Sequence, residues 1–389
     1  MRQRLVCLDV LRGATVAMMI LVNNPGSWAH VPTPLRHAEW DGCTPTDLVF
    51  PFFLFIVGGA MALSLEPARA AGAPRGALMK KVLRRGALII LLGLVLNLFP
   101  AGLPLDPQAM RGFHPGLVTE AIGHLRLPGV LQRIGACWLI AASLIVLLPQ
   151  PRRRIAGAVI LLVLYEGLMR LPIVSGWGAG SFGHVDNFAR WIDLKVLGAD
   201  HLLEGAANTD PEGLLSNLSA TLGMLLGFAA VSWLAKGPLV TSRLAKLLGV
   251  GAALAALALL LQPLEPFNKH LWTPTYVMFT GGLALAFLAA AAWMIDVRGW
   301  RTGLRPLEAY GFNPLLVFWG SGLLARLLAH SRWSLGGAKP APLGLLIYRH
   351  GYASWAGPQA GSVLFAVGMV LFWLAISWVL YRRGWAWRV

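Results

Sequence analysis

The chain is poor in charge and poorer still in acid: of its 389 residues 13% are Asp, Glu, Lys or Arg, and only 17 are acidic. A water-soluble domain carries about a quarter of its residues as charges, so a soluble globular enzyme is excluded. Cysteine is scarce too. Cys7, Cys43 and Cys137 are too scattered for a disulfide framework, and no metal spacing involves them. Linkers and low-complexity tails are lacking and no internal repeat stands out, so residues 1–389 read as one domain.

What the chain has instead is apolar length. Hydrophobic residues make up 57% of it, and mean hydropathy is +0.64. About ten stretches are long enough, as helices, to cross about 30 Å of hydrocarbon. They cover 5–22, 47–65, 82–99, 129–148, 155–173, 214–234, 244–261, 271–295, 307–329 and 357–380. A membrane barrel would show short alternating strands, so the expectation is an all-α polytopic membrane protein, a bundle of about ten transmembrane helices. The first stretch contains Asp9 and Arg12 and is followed by no small-residue cleavage site, so it reads as a retained helix, not a cleaved signal.

The net charge of +16 raises the question of nucleic acid. Its distribution answers otherwise. With Met1 inside, Arg69/Arg75/Lys80/Lys81/Arg84/Arg85, Arg152/Arg153/Arg154, Lys236/Arg243/Lys246, Arg298/Arg301/Arg305 and Arg382/Arg383 all fall on one side, while Glu39, Asp41, Asp193, Asp210, Glu212 and Glu265 fall on the other. That is the positive-inside bias. It predicts cytoplasmic termini and long outer loops at 100–128 and 174–213, and leaves no role for nucleic acid.

Ionisable groups inside spans are costly and usually face the bundle interior or a watery cavity. Asp9 and Arg12 lie three apart on one helix, so Arg12 either pairs with Asp9 or contacts a ligand. Arg133, beside Gln132 in LPGVLQRIG, either binds an anion or ties helices together. Glu166 and Arg170, four apart, read as a structural pair, and Arg326 as a snorkelling side chain. Asn97 reads as a bridge between helices.

The densest ionisable cluster is LRHAEWDGCTPTDLVFPFFLFIVGG, residues 35–59, at the outer mouth of the second span. His37 is followed there by Glu39, Trp40, Asp41 and Asp47, with Asn23 and Asn24 ending the neighbouring span. A carboxylate that holds one imidazole nitrogen leaves the other as an acceptor, which a general base requires. Asp47 or Glu39 can fill that role, while Asp47 equally suits a helix cap in the order Thr44, Pro45, Thr46, Asp47. Cys43 has no activating partner in the sequence.

LDVLRG, VNNPGSW and RHAEWDGCTPTDLVFPFFLFIVG, followed by RLPGVLQRIGACWL, DPEGLLSNLSATLGMLLG, PFNKHLWTPTYVMFTGG and EAYGFNPLLVF, resemble the heparan-α-glucosaminide N-acetyltransferase family, in order and through nearly the whole chain. The resemblance implies a membrane-bound acyltransferase that moves an acetyl group from cytoplasmic acetyl-CoA to an amino sugar or glycan on the far side. It also implies a homodimer. On matching positions His37 corresponds to the catalytic histidine, as general base or transient acyl carrier, and Asn23 to its companion, with Asn24 a rival because the Asn23–His37 loop is longer here. Asp41 falls where the family need not have an acid. The large lumenal domain that precedes the first span in the animal enzyme is not expected here.

On that reading Asp47 completes the catalytic group. Arg12, Arg84, Arg85, Gln132 and Arg133 bind CoA, since phosphates favour arginine forks. Glu39, Trp40, Asp41, Asp210, Asn268, Lys269, Trp272 and Asn313 meet the acceptor, with Trp40 and Trp272 either stacking on a sugar ring or anchoring at the interface. No metal is called for. The Ala, Gly, Arg and Leu bias points to a bacterial inner membrane and a cell-envelope sugar. The competing class is a proton-coupled transporter or flippase, with Asp9, Arg133 and Glu166 as relays.

Overall fold

The structure is a computed structural model, and it describes residues 5–101, 115–171, 174–334 and 339–387. Part of the first expected outer loop, 102–114, and the end of the fifth expected span, 172–173, lie outside the described residues.

The described chain is helical nearly throughout. In order come α1 (Val6–Asn23), α2 (Val49–Ala70), α3 (Arg75–Leu98), α4 (Pro115–Gly123), α5 (Val130–Leu147), α6 (Pro151–Arg170), α7 (Phe188–Val196), α8 (Ser216–Ala235), α9 (Thr241–Leu261), α10 (Pro274–Ala291), α11 (Arg305–Phe312), α12 (Pro314–His330), α13 (Leu343–Tyr348), α14 (Ser354–Ala356) and α15 (Pro358–Arg382). Extended structure among the described residues is confined to a two-residue antiparallel ladder, Arg332–Trp333 with Ala341–Pro342, and two isolated bridges.

Among the described residues, seven helices are long and apolar enough to cross a membrane: Val6–Asn23, Pro45–Ala70, Val130–Leu147, Ser216–Ala235, Thr241–Leu261, Pro274–Val297 and Pro358–Arg382. The chain is an integral membrane protein of α-helices. The expected span 307–329 is not one straight helix: α11 and α12 meet at 81°. Asn313 leaves helical geometry at φ −129° and ψ 55° because Pro314 follows it and disfavours the α conformation in the preceding residue. The segments expected at 82–99 and 155–173 form α3 and α6, whose N-terminal halves carry Lys80, Lys81, Arg84 and Arg85, and Arg152, Arg153 and Arg154.

Close helix crossings are made by missing side chains. A Cβ on Gly58 would stand 1.8 Å from the Met224 carbonyl oxygen, and one on Gly227 1.9 Å from that of Phe55, so α2 and α8 touch backbone to backbone. Small residues serve membrane helices in this way because lipid supplies no hydrophobic force to press them together.

The two ends of the bundle differ in chemistry. At one end the Asp296 carboxylate accepts from the Val6 and Cys7 amides, both at 3.1 Å, which neutralises free donors at the start of α1. Beside it Glu66 accepts from Arg69 at 3.0 Å and Arg154 at 3.3 Å. At the other end the Gly26 amide donates to the Ser362 carbonyl at 3.2 Å, which sets the end of α1 beside the start of α15. The long connections pack above that end around Trp40, Tyr165, Met169, Phe188 and Leu271.

Candidate active site

The N-terminus of α2 builds the centre. A capping box closes the 3-10 turn Pro45–Leu48: the Asp47 carboxylate accepts from the Thr44 amide at 3.0 Å and from the Thr44 hydroxyl at 2.9 Å. Capping and a partnership with His37 are therefore not alternatives. The second carboxylate oxygen, Oδ1, stands 2.6 Å from His37 Nδ1, and the Ala38 amide donates to Oδ2 at 3.0 Å. Asp47 is fully buried, and Tyr276 steadies it from α10 by donating its hydroxyl to the Asp47 carbonyl at 2.6 Å. Glu39, the other carboxylate the sequence offered, is exposed.

A lysine completes the cluster. Lys269 Nζ lies 2.8 Å from His37 Nδ1, 3.5 Å from Nε2 and 3.2 Å from Asp47 Oδ1. One Nδ1 cannot donate to Asp47 and accept from Lys269 at once. With the proton on Nδ1, Asp47 accepts it and Nε2 is an open acceptor; with the proton on Nε2, Nδ1 accepts from Lys269. Burial pushes the Lys269 ammonium below the usual lysine range, against the pull of Asp47.

The loop that carries Lys269 is fixed by its neighbours. Asn268, wholly buried, donates to Asp41 Oδ1 at 3.0 Å and accepts from the Leu271 amide at 2.9 Å, while the Gly42 amide donates to the Phe267 carbonyl at 2.7 Å. These bonds join the α1–α2 and α9–α10 connections.

His37 and Lys269 open onto a cavity of about 230 Å³ that Asn23, Thr46, Phe50, Val130, Glu212 and His270 also line. Asn23 is exposed to it. Asn24 turns inward, is 8% exposed, and donates to the Ile20 carbonyl at 2.8 Å. Geometry thus separates the two asparagines. Burial, with Lys269 adjacent, pushes His270 down to about 4, so it faces the cavity as a neutral imidazole. Burial also pushes the Cys43 thiol up to about 12, which leaves it a poor nucleophile.

Several expected contacts lie elsewhere. Trp272 is 2% exposed: Phe50 and Tyr276 meet it edge-on, and the Arg133 guanidinium lies 4.7 Å from its ring centre, so it has no face open to a sugar. Trp40 stacks on His184 at 4.0 Å, lies 4.9 Å from His270, and donates its indole N–H to the Phe182 carbonyl at 2.9 Å. Asp210 is clamped by Arg126 at 2.7 and 3.0 Å. Burial opposes its charge, but those bonds prevail and hold the carboxyl below its usual range. Asn313 is tied to Trp385 and Trp387 beyond α15, both at 2.7 Å, at the end of the bundle opposite His37. Arg326 does not snorkel freely; it donates to Asn97 at 3.1 Å, and Asn97 donates to the Arg126 and Pro128 carbonyls.

A second cavity, of about 370 Å³, opens at the basic end between α2, α3 and α5, lined by Ser64, Lys81, Arg84, Arg85 and Trp138. The Arg85 guanidinium lies 4.2 Å from the Trp138 ring centre. Arg12 stays with Asp9 at 3.1 Å. Gln132 and Arg133 lie on α5, whose start borders the first cavity and whose Trp138 borders the second. Arg133 is 1% exposed and donates to the Gly213 carbonyl at 3.3 Å and to the Ser216 hydroxyl.

Residues 4–177 match the family model of the catalytic region of heparan-alpha-glucosaminide N-acetyltransferase. Over that stretch the chain is similar to this family. It is 28% identical over 367 residues to the Homo sapiens heparan-alpha-glucosaminide N-acetyltransferase, covering 82% of this chain and 52% of that protein. With the Mus musculus enzyme of the same name it shares 24% identity over 436 residues, covering 99% of this chain and 60% of the relative. The chain therefore spans little more than half the length of these relatives. The family match holds Asn23, His37 and Asp47, whereas Lys269 and His270 reach the cavity from beyond it.

Proposed function

We propose that this protein is a membrane-bound acyltransferase that takes an acetyl group from acetyl-CoA at the basic, cytoplasmic end and delivers it to an amino sugar or glycan at the opposite end. The observation behind this reading is that Asn23 and His37 share the wall of one cavity while Asp47 holds the other side of the His37 ring. A thioester is already activated, so the chain has to deprotonate the attacking group and stabilise the oxyanion. His37 Nε2 takes the proton, or carries the acyl group between two half-reactions. Asn23 donates to the oxyanion or orients the acceptor, and Asp47 sets the tautomer.

The donor's phosphates would sit by Lys81, Arg84 and Arg85, and its pantetheine arm would run between α2 and α5, which border both cavities. Gln132 and Arg133 lie along that route. Ten spans, with α3, α6 and the bent α11–α12 pair as three of them, place both termini and the basic loops in the cytoplasm. A bacterial inner membrane and a homodimer complete the reading. Purified protein is offered labelled acetyl-CoA and a panel of amino sugars, wild type beside His37→Ala. Acceptor-dependent CoA release that the substitution abolishes supports the transferase. Absence of release and of acetyl-CoA binding sinks it, and accumulation of solute in vesicles would favour the transporter instead.

A further inference from the structure

Lys269 puts a primary amine into the cavity where the acyl group is handled. Its Nζ is 3.5 Å from His37 Nε2. Whether the thioester carbonyl is brought up to Nε2 for attack by an acceptor or the acetyl group is bonded there, the electrophilic carbon stands within a few ångströms of that amine. The other lysines, Lys80, Lys81, Lys195, Lys236, Lys246 and Lys339, are all exposed, whereas the Lys269 side chain is 17% exposed.

We propose that Lys269 is a site of self-acetylation: when no external acceptor occupies the cavity, its amine captures the acetyl group and shuts the site. This rests on the acyltransferase reading. The proton path is present, because the ammonium stands 2.8 Å from Nδ1, so the tautomer protonated at Nε2 accepts a proton from Lys269. The imidazolium formed then donates to Asp47, 2.6 Å away. The freed amine attacks the acyl carbon of the thioester: the new N–C bond forms, the attacking nitrogen passes its second proton to the departing sulfur as the C–S bond breaks, CoA leaves as the thiol, and the imidazolium releases its proton to water. No oxidant or further reactant is needed.

The product is an amide, not a carrier. It does not return its acyl group, it removes the positive charge beside Asp47, and it adds bulk to a cavity of about 230 Å³. Facing Lys269 are Asp47, His37, Glu212, Cys43 and His270. Burial lowers its affinity for the proton, which eases the first step.

The full chain in nanodiscs is incubated with acetyl-CoA alone and its peptides are analysed by mass spectrometry, with CoA release to glucosamine measured on the same preparation. The expected result is one acetyl group on Lys269, little on the exposed lysines, and a loss of glucosamine-dependent turnover that follows the modification in time. Glucosamine present from the start should protect Lys269, a comparison that needs no variant, and His37→Ala should abolish the labelling. Label spread evenly over the exposed lysines, or undiminished by glucosamine, overturns the proposal. Active enzyme with Lys269 unmodified overturns it and leaves the acyltransferase standing, whereas no CoA release to any acceptor and no label removes both.

Discussion

Asn268 and Asp41 are 227 positions apart in sequence, and the Asn268 amide donates to the Asp41 carboxylate at 3.0 Å. That bond places Lys269 against His37, because the same asparagine also accepts from the Leu271 amide and its backbone N–H donates to the Thr273 hydroxyl at 3.0 Å. Replacing Asn268 by Ala leaves buried groups unpaired, each costing about 1–3 kcal/mol. Asn268→Ala should therefore melt earlier and turn over more slowly. A variant that melts and works like wild type would show that the bridge does not position the loop.

Asp47→Asn separates charge from shape. The amide keeps an oxygen for the Ala38 and Thr44 N–H groups, so the helix start survives, but His37 loses an anionic partner and Lys269 its counter-charge. Transfer should fall roughly 10²–10⁴-fold, the range for general acid–base assistance. CoA release per mole of folded protein measures it, and a loss below tenfold would mean that Asp47 serves mainly as a cap.

The neighbouring asparagines give a paired test. Asn23→Ala should depress turnover with little change in melting, because Asn23 is exposed on the cavity. Asn24→Ala should show the opposite pattern, because that side chain is 8% exposed and bonded to Ile20. Equal loss of turnover in both variants, at equal stability, would contradict this division.

The class of protein was legible because apolar length and basic loops are local signals. So was the cluster around His37, which spans few residues, and the capping box at Thr44 and Asp47 follows from their spacing. The roles of Trp40 and Trp272 were not legible. Whether an aromatic ring meets a sugar or a neighbouring side chain depends on residues such as His184 and Arg133, which approach from other helices. Lys269 was placed at the outer mouth, but its contact with His37 depends on a bridge across 227 residues, for which a single sequence holds no pattern. The break at Asn313 had a local sign that hydropathy overrides: Pro314 lies inside an apolar run.

Asp193 should make stability depend on pH. It is wholly buried in α7, accepts from the Leu214 amide at 2.8 Å, and its Oδ2 has no hydrogen-bond partner among the described residues. Burial raises its carboxyl from 3.8 to about 7, with Asp210 adding to the shift and the Leu214 bond and Arg133 opposing it. The folded state thus holds a proton that the unfolded chain has released, so this group stabilises below about 4 and the contribution is lost as pH rises towards about 7. His270 acts oppositely: burial lowers it to about 4, so its contribution is lost as pH falls from 6.5. The difference between wild type and Asp193→Asn removes that overlap, since both proteins keep His270. Melting in detergent at several pH values should show wild type losing stability relative to Asp193→Asn between about pH 4 and 7. A difference that stays flat across that interval would mean Asp193 is ionised in the folded protein.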